Sequence, residues 1–138
     1  MKHILLAVAT LIFANAAWAG DYSATMVLHS YHFHRQHHHN EVNIGFGLED
    51  RLDDVDSNAV GCYDNSYFRT SCYAFRIHQP WRVDGWKIGY TYGLVTGYVH
   101  VVDPWVTALA THNIDGKLDV NIIAHPAMVA AQLAYRFY

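Results

Sequence analysis

Ser66 stands beside Asp64 and Asn65, and six of the eleven histidines fall between His29 and Glu49, in the run HSYHFHRQHHHNEVNIGFGLE. A serine hydroxyl is a poor nucleophile until a base takes its proton, and an imidazole within hydrogen-bond reach can take it. Serine, histidine and a neighbouring carboxylate or amide are the parts of an acyl-transfer site. The histidines also invite a second reading, a metal centre. His37, His38 and His39 are consecutive, however, and adjacent side chains on an extended loop diverge, whereas a metal needs ligands converging from defined spacings. The expectation is therefore no metal and no cofactor, with this run forming a solvated or lipid-phosphate-facing loop. Partly protonated histidines with Arg35 and Arg69 would suit lipid phosphates.

Whether Ser66 can meet a histidine depends on the elements that carry them. Residues 1–19 read as a secretory signal: Lys2 and His3 start it, Ile4 to Phe13 is apolar, and Ala17-Trp18-Ala19 is a small-x-small cleavage site. Residues 20–138 then form one small domain. No later apolar run is long enough for a membrane helix. Hydrophobic residues nevertheless make up 52% of the chain and aromatics 14%, and only 15% are charged, against about 25% in an average soluble domain. An exported, charge-poor, aromatic-rich chain without a spanning helix points to a closed membrane barrel.

Strand signals recur with turn residues between them. Tyr22 to Phe33, Glu41 to Glu49, Ala59 to Ser66, Thr70 to His78, Trp86 to Val99, Trp105 to His112, Leu118 to Ile123 and Val129 to Phe137 give eight strands. The predicted fold is all-β, an eight-stranded antiparallel up-and-down transmembrane β-barrel. Asp50 to Asn58 and Gln79 to Gly85, with Pro80, read as turns. In the second strand Val42, Ile44, Phe46 and Leu48 share one face and Asn43, Gly45 and Gly47 the other. In the fifth, Gly89, Gly93 and Gly97 oppose Trp86, Ile88, Tyr90, Tyr92 and Leu94. Rows of inward glycine either open a slot for something slender, such as an acyl chain, or relieve barrel curvature.

Both ends of an even-stranded outer-membrane barrel lie on the periplasmic side. Ser30 to Phe33, the loop from Arg35 to Asn40, and Asp64, Asn65 and Ser66 then share the outer rim. With Tyr63 facing lipid, parity predicts that Val60, Cys62, Asp64 and Ser66 face inward. Cys62 and Cys72 share that parity across the hairpin, placed either to form a cross-strand disulfide or to remain two thiols. Pro104 and Pro126 either loosen wall pairing near the outer ends of strands six, seven and eight or are simply turn prolines.

The run His32-Phe33-x-Arg35, then Asn40-Glu41 and Gly45-Phe46-Gly47-Leu48, resembles the first hairpin of the outer-membrane lipid A palmitoyltransferase family. Tyr63-Asp64-Asn65-Ser66-Tyr67 is similar to that family's Asp-Ser-Trp segment, Trp86 to Gly97 to its glycine-rich fifth strand, and the Arg-Phe ending also matches. The resemblance covers most of the mature chain at the level of motifs. It implies a bacterial outer-membrane enzyme that moves an acyl chain from a phospholipid to lipid A. Phospholipid and lipid A would be its partners, it would bind no nucleic acid, and the barrel would be monomeric. The implied catalytic residues are His32, with His29 as its rival, Ser66, and Asn65 or Asp64 as the orienting group. Asn65 stands where the family has Asp, and an amide can orient a group but cannot balance a charge. The family's N-terminal amphipathic helix has no counterpart, because strand one starts almost at the mature terminus. Acyl length would depend on inward residues of strand four, with Ala74 and Arg76 as candidates. A non-catalytic lipid-binding barrel and a lipid A acyl hydrolase using the same residues are the alternatives.

Overall fold

A computed structural model describes residues 21–34 and 38–137. The signal segment, Arg35 and His37 lie outside the described residues. The chain forms a closed barrel of eight strands, each paired antiparallel with its sequence neighbours and β1 closing against β8. The strands are β1 (Asp21–His32), β2 (Gly45–Arg51), β3 (Asp56–Asp64), β4 (Thr70–Val83), β5 (Trp86–Thr96), β6 (Val102–Asn113), β7 (Leu118–His125) and β8 (Met128–Phe137). Among the described residues there is no helix.

The alternation that predicted β2 holds: Phe46 is 66% exposed on the outer wall while Gly45 faces inward and is buried. Val42, Ile44, Tyr90, Tyr92, Leu94 and Val106 are exposed as well, so the outer wall carries the apolar and aromatic side chains. The inside carries Thr25, Ser30, Asn43, Thr91, Thr107 and Asn121, all buried.

Strands β3 and β4 correct the predicted parity. Ala59, Tyr63, Tyr73, Phe75 and Ile77 line the interior, whereas Asp64 and Ala74 are exposed. Arg76 bonds outside with Asn58 and Asp56, so Ala74 and Arg76 are not the inward residues of strand four. The cause is size complementarity across the wall. A side chain at Gly47 or Gly61 would collide with the Tyr73 phenol, so the small residues of β2 and β3 make room for the large ones of β4. The space those glycines leave is therefore occupied by the wall itself. The cavity that remains, about 80 Å³, runs among Val27, Tyr73, Phe75, Ile77, Thr91 and Leu109.

Two turns are also corrected. The acidic turn is confined to residues 52–55, with Asp50 and Asp56 inside strands. At Gln79 to Gly85 the chain does not turn at Pro80. Strand β4 continues to Val83, and the register slips between His78 and Trp81, a bulge of the kind that accommodates a residue lacking N–H. The turn itself is Asp84-Gly85, both with positive φ, as a tight hairpin requires.

Cys62 and Cys72 are joined in a disulfide between directly paired residues of β3 and β4. Because parity is reversed there, they share the outward face with Val60 and Ala74 rather than the inward one.

One end of the barrel is filled by polar side chains. Arg51 bonds Asp21 at 3.2 Å and Asp119 at 3.4 Å, and Arg136 bonds Asp119 at 3.2 Å. Gln79, Thr111, Asn121 and Gln132 continue the network inward. At the other end the walls are incompletely paired. The β6–β7 ladder begins only at Ala108↔Ala124, so residues 102–107, Pro104 among them, have no β7 partner. Pro126 follows immediately after β7 and lies in its two-residue turn to β8, where β7–β8 pairing stays intact to His125↔Met128. The β1–β2 ladder likewise stops at Val27↔Gly45, beyond which Ser30 N–H donates to the Glu41 carbonyl.

Candidate active site

The open rim gathers the end of β1, the loop before β2, and the β3–β4 turn. A register shift between Val27 and His29 in the β1–β8 ladder decides which histidine turns inward. His29 is exposed on the outer face, whereas His32, the last residue of β1, is buried. The imidazole Nε2 of His32 lies 2.7 Å from Ser66 Oγ, and Ser66 is buried as well. In the tautomer that lets Nε2 take the serine proton, the other ring hydrogen sits on Nδ1. That atom is buried and has no hydrogen-bond partner.

Neither predicted orienting group reaches the imidazole. Asp64 is exposed, and its part is played by the backbone: its N–H donates to the Ile44 carbonyl and its carbonyl accepts from Asn43 Nδ2 at 2.8 Å. Asn65 is 0% exposed, and its amide is fully used inside the turn. Its Oδ1 accepts from Tyr67 N–H at 2.9 Å and Arg69 N–H at 3.1 Å. Its Nδ2 donates to Ser71 Oγ at 2.8 Å and the Gly97 carbonyl at 2.9 Å. An asparagine supplies both an acceptor and two donors on one planar group, which is what this junction of turn and β5 end needs. Gly97 has φ 84°, and a side chain there would press on Ser71 Oγ and the Asn65 amide. Arg69 is exposed, and its carbonyl closes the turn by accepting from Asn65 N–H at 2.7 Å.

The loop before β2 is tied to this turn. Asn40 N–H donates to the Ser66 carbonyl at 2.9 Å, and Asn40 Nδ2 to the Asn65 carbonyl at 3.3 Å. Asn43 Nδ2 donates to the Asn40 carbonyl, and Asn43 Oδ1 is the partner of Ser30 Oγ. The Asn40-Glu41 motif thus works mainly through its asparagine, which locks the loop onto the backbone of Asn65 and Ser66.

Above Ser66 opens a vestibule of about 360 Å³, lined among others by His32, His39, Tyr98, Trp105 and His125. The rings stack in series: Tyr98 on Trp105 at 5.2 Å, and Trp105 on His125 at 4.6 Å. Tyr98 and Tyr63 share a 2.8 Å hydroxyl–hydroxyl bond, and burial pushes the Tyr98 phenol up, so it stays a hydroxyl at neutral pH. Ser66, Tyr98, Trp105 and Met128 border both the vestibule and the apolar cavity beneath it. Ser66, bonded to His32, therefore sits where the two spaces meet. Sequence reasoning missed Tyr98, Trp105, His125 and His39. Only the last two carried a signal, as histidines beside Asn40 and Pro126. Among the described residues no group of three or more His, Cys, Asp or Glu side chains could hold a metal ion. The chain matches no protein-family model and no curated protein, so its own residues carry the functional reading.

Proposed function

We propose that this protein is an outer-membrane acyltransferase that moves a fatty acyl chain from a phospholipid to lipid A. The single observation that carries the reading is the 2.7 Å contact between Ser66 Oγ and His32 Nε2 at the mouth of a narrow apolar cavity. The closed barrel with an apolar outer wall supports placement in a bilayer, because only closure satisfies the edges of a sheet in lipid. The outer half of β6, paired with β5 but without a β7 partner, supports sideways entry of a lipid chain.

In this reading Ser66 Oγ attacks the ester carbonyl of the phospholipid while His32 Nε2 takes its proton. The ester C–O bond breaks, and His32 returns the proton to the departing lysophospholipid oxygen. A lipid A hydroxyl then attacks the acyl-serine ester, giving its proton to His32. Ser66 leaves, recovers that proton, and the acyl group ends as an ester on lipid A. The carbonyl end of the acyl chain and its first carbons lie in the cavity below Ser66 throughout.

The missing partner on His32 Nδ1 favours a second reading, a barrel that binds lipid without chemistry. Mass spectrometry of lipid A from cells expressing the wild type and Ser66→Ala separates the two. Acyl transfer adds one acyl mass in the wild type only, and hydrolysis would remove one. An unchanged lipid A profile in cells making correctly folded wild type rejects transfer.

A further inference from the structure

His39 belongs to the run that its sequence assigns to a solvated loop, yet it is not at the edge of the site. Its imidazole lies face to face with that of His32, ring centroids 4.4 Å apart and planes 20° from parallel. Tyr67 meets it edge-on at 6.1 Å. The next residue, Asn40, is held by bonds to the backbone of Ser66 and Asn65 and by bonds from Val42 and Asn43. His39 therefore reaches His32 from a fixed anchor, and that anchor is fixed to the nucleophile's own turn.

A base needs its ring held in one plane, and a second group on the far nitrogen usually does this. Here Nδ1 of His32 has no such bond, and the nearest carboxylate, Glu41, points its Oε1 at the backbone N–H of His32 from 3.5 Å. We infer that His39 is the positioning residue of this site: its stacked ring holds the His32 imidazole in the plane that presents Nε2 to Ser66. A flat partner restricts tilt of the ring where a carboxylate would restrict rotation. The inference rests on the acyl-transfer reading for its kinetic consequence and on ring geometry alone for its spectroscopic one.

The test uses the full mature barrel in detergent micelles with a phospholipid donor and lipid A, comparing His39→Phe, His39→Leu and His39→Ala. Phe keeps a flat ring face without an ionisable nitrogen, and is expected to retain kcat within about three-fold. Leu and Ala remove the face, and kcat should fall roughly five- to ten-fold with KM unchanged, the range an aromatic pair supports. In parallel, carbon-13-labelled histidine NMR should show the ring-current shift of the His32 carbon-bound protons lost in Leu and Ala and kept in Phe. Electrophoretic heat-modifiability confirms folding, and Ala serves if Leu does not fold. Wild-type kcat and an unmoved His32 signal in both Leu and Ala overturn the inference. Phe as slow as Leu overturns it too, since the imidazole nitrogens would then matter rather than the face. If wild type and Ser66→Ala leave lipid A alike, the transfer reading fails, while the NMR comparison still decides whether His39 positions His32.

Discussion

Replacing Asn65 with Asp would supply the carboxylate that the resemblance leads one to expect, and the structure says that it will do harm. The Asn65 amide nitrogen donates to the Gly97 carbonyl and to Ser71 Oγ. Ser71 can turn its hydroxyl round and donate to a carboxylate instead. The Gly97 carbonyl cannot, because it only accepts. Asn65→Asp thus leaves one backbone acceptor unpartnered and puts a charge against it in a site that is 0% exposed. A buried group stripped of its partner costs about 1–3 kcal/mol, more when charge is involved, and the two N–H bonds from Tyr67 and Arg69 offset part of the charge. A net loss of about 2–3 kcal/mol follows. With a urea slope of about 1–3 kcal/mol/M for a small domain, the unfolding midpoint in detergent should fall by roughly 1 M. Acyl transfer should not rise, since the carboxylate remains held in the turn, away from His32. Equal stability together with faster transfer would refute the assignment of Asn65 to the turn and restore it to the catalytic set.

Phe68 is a bulky residue at φ 58° with 71% of its surface exposed, a backbone region that disfavours large side chains by about 1–2 kcal/mol. Phe68→Gly should therefore raise the thermal midpoint by a few degrees, read by heat-modifiability; a lower midpoint would show that the ring is held by contacts worth more than the strain. The Cys62–Cys72 disulfide closes a loop of ten-residue separation, for which chain entropy gives about 2–3 kcal/mol. No free thiol should be found before reduction, and reduction should lower the unfolding midpoint accordingly.

The fold was legible because exposure of a barrel is written as period two along each strand. Phe46 against Gly45, and Tyr90 and Tyr92 against Gly89 and Gly93, leave no doubt about which face is which. The hairpin of β3 and β4 defeated the same logic, since its outward face carries the polar Asn58, Arg76 and His78 and its inward face the large apolar Tyr73, Phe75 and Ile77. Tyr63 and Tyr73 look like lipid-facing aromatics in the chain, and only the glycines of neighbouring strands reveal that they fill the interior. One register shift was equally invisible: the slip after Val27 puts His29 outside and His32 inside, a choice that spacing left open. Ser66 was placed on the correct rim by strand count, although the parity argument behind it was reversed in the strand below. Asn65 could not be read at all, because its partners Ser71 and Gly97 come from two other strands' ends.

The charged network of Arg51, Arg136, Asp119 and Asp21 makes the molecule a cup rather than a tube. In the proposed bilayer setting this plug would keep the permeability barrier even though β6 lacks its β7 partner over residues 102–107 above it. A cup is also closed at its base. Whatever chain lies in it must leave at the upper end, and its polar head must clear the vestibule before a second lipid can dock over the same serine. On the proposed chemistry, that traffic rule alone predicts substituted-enzyme kinetics, with parallel reciprocal plots for donor and acceptor and a burst of lysophospholipid equal to the sites present.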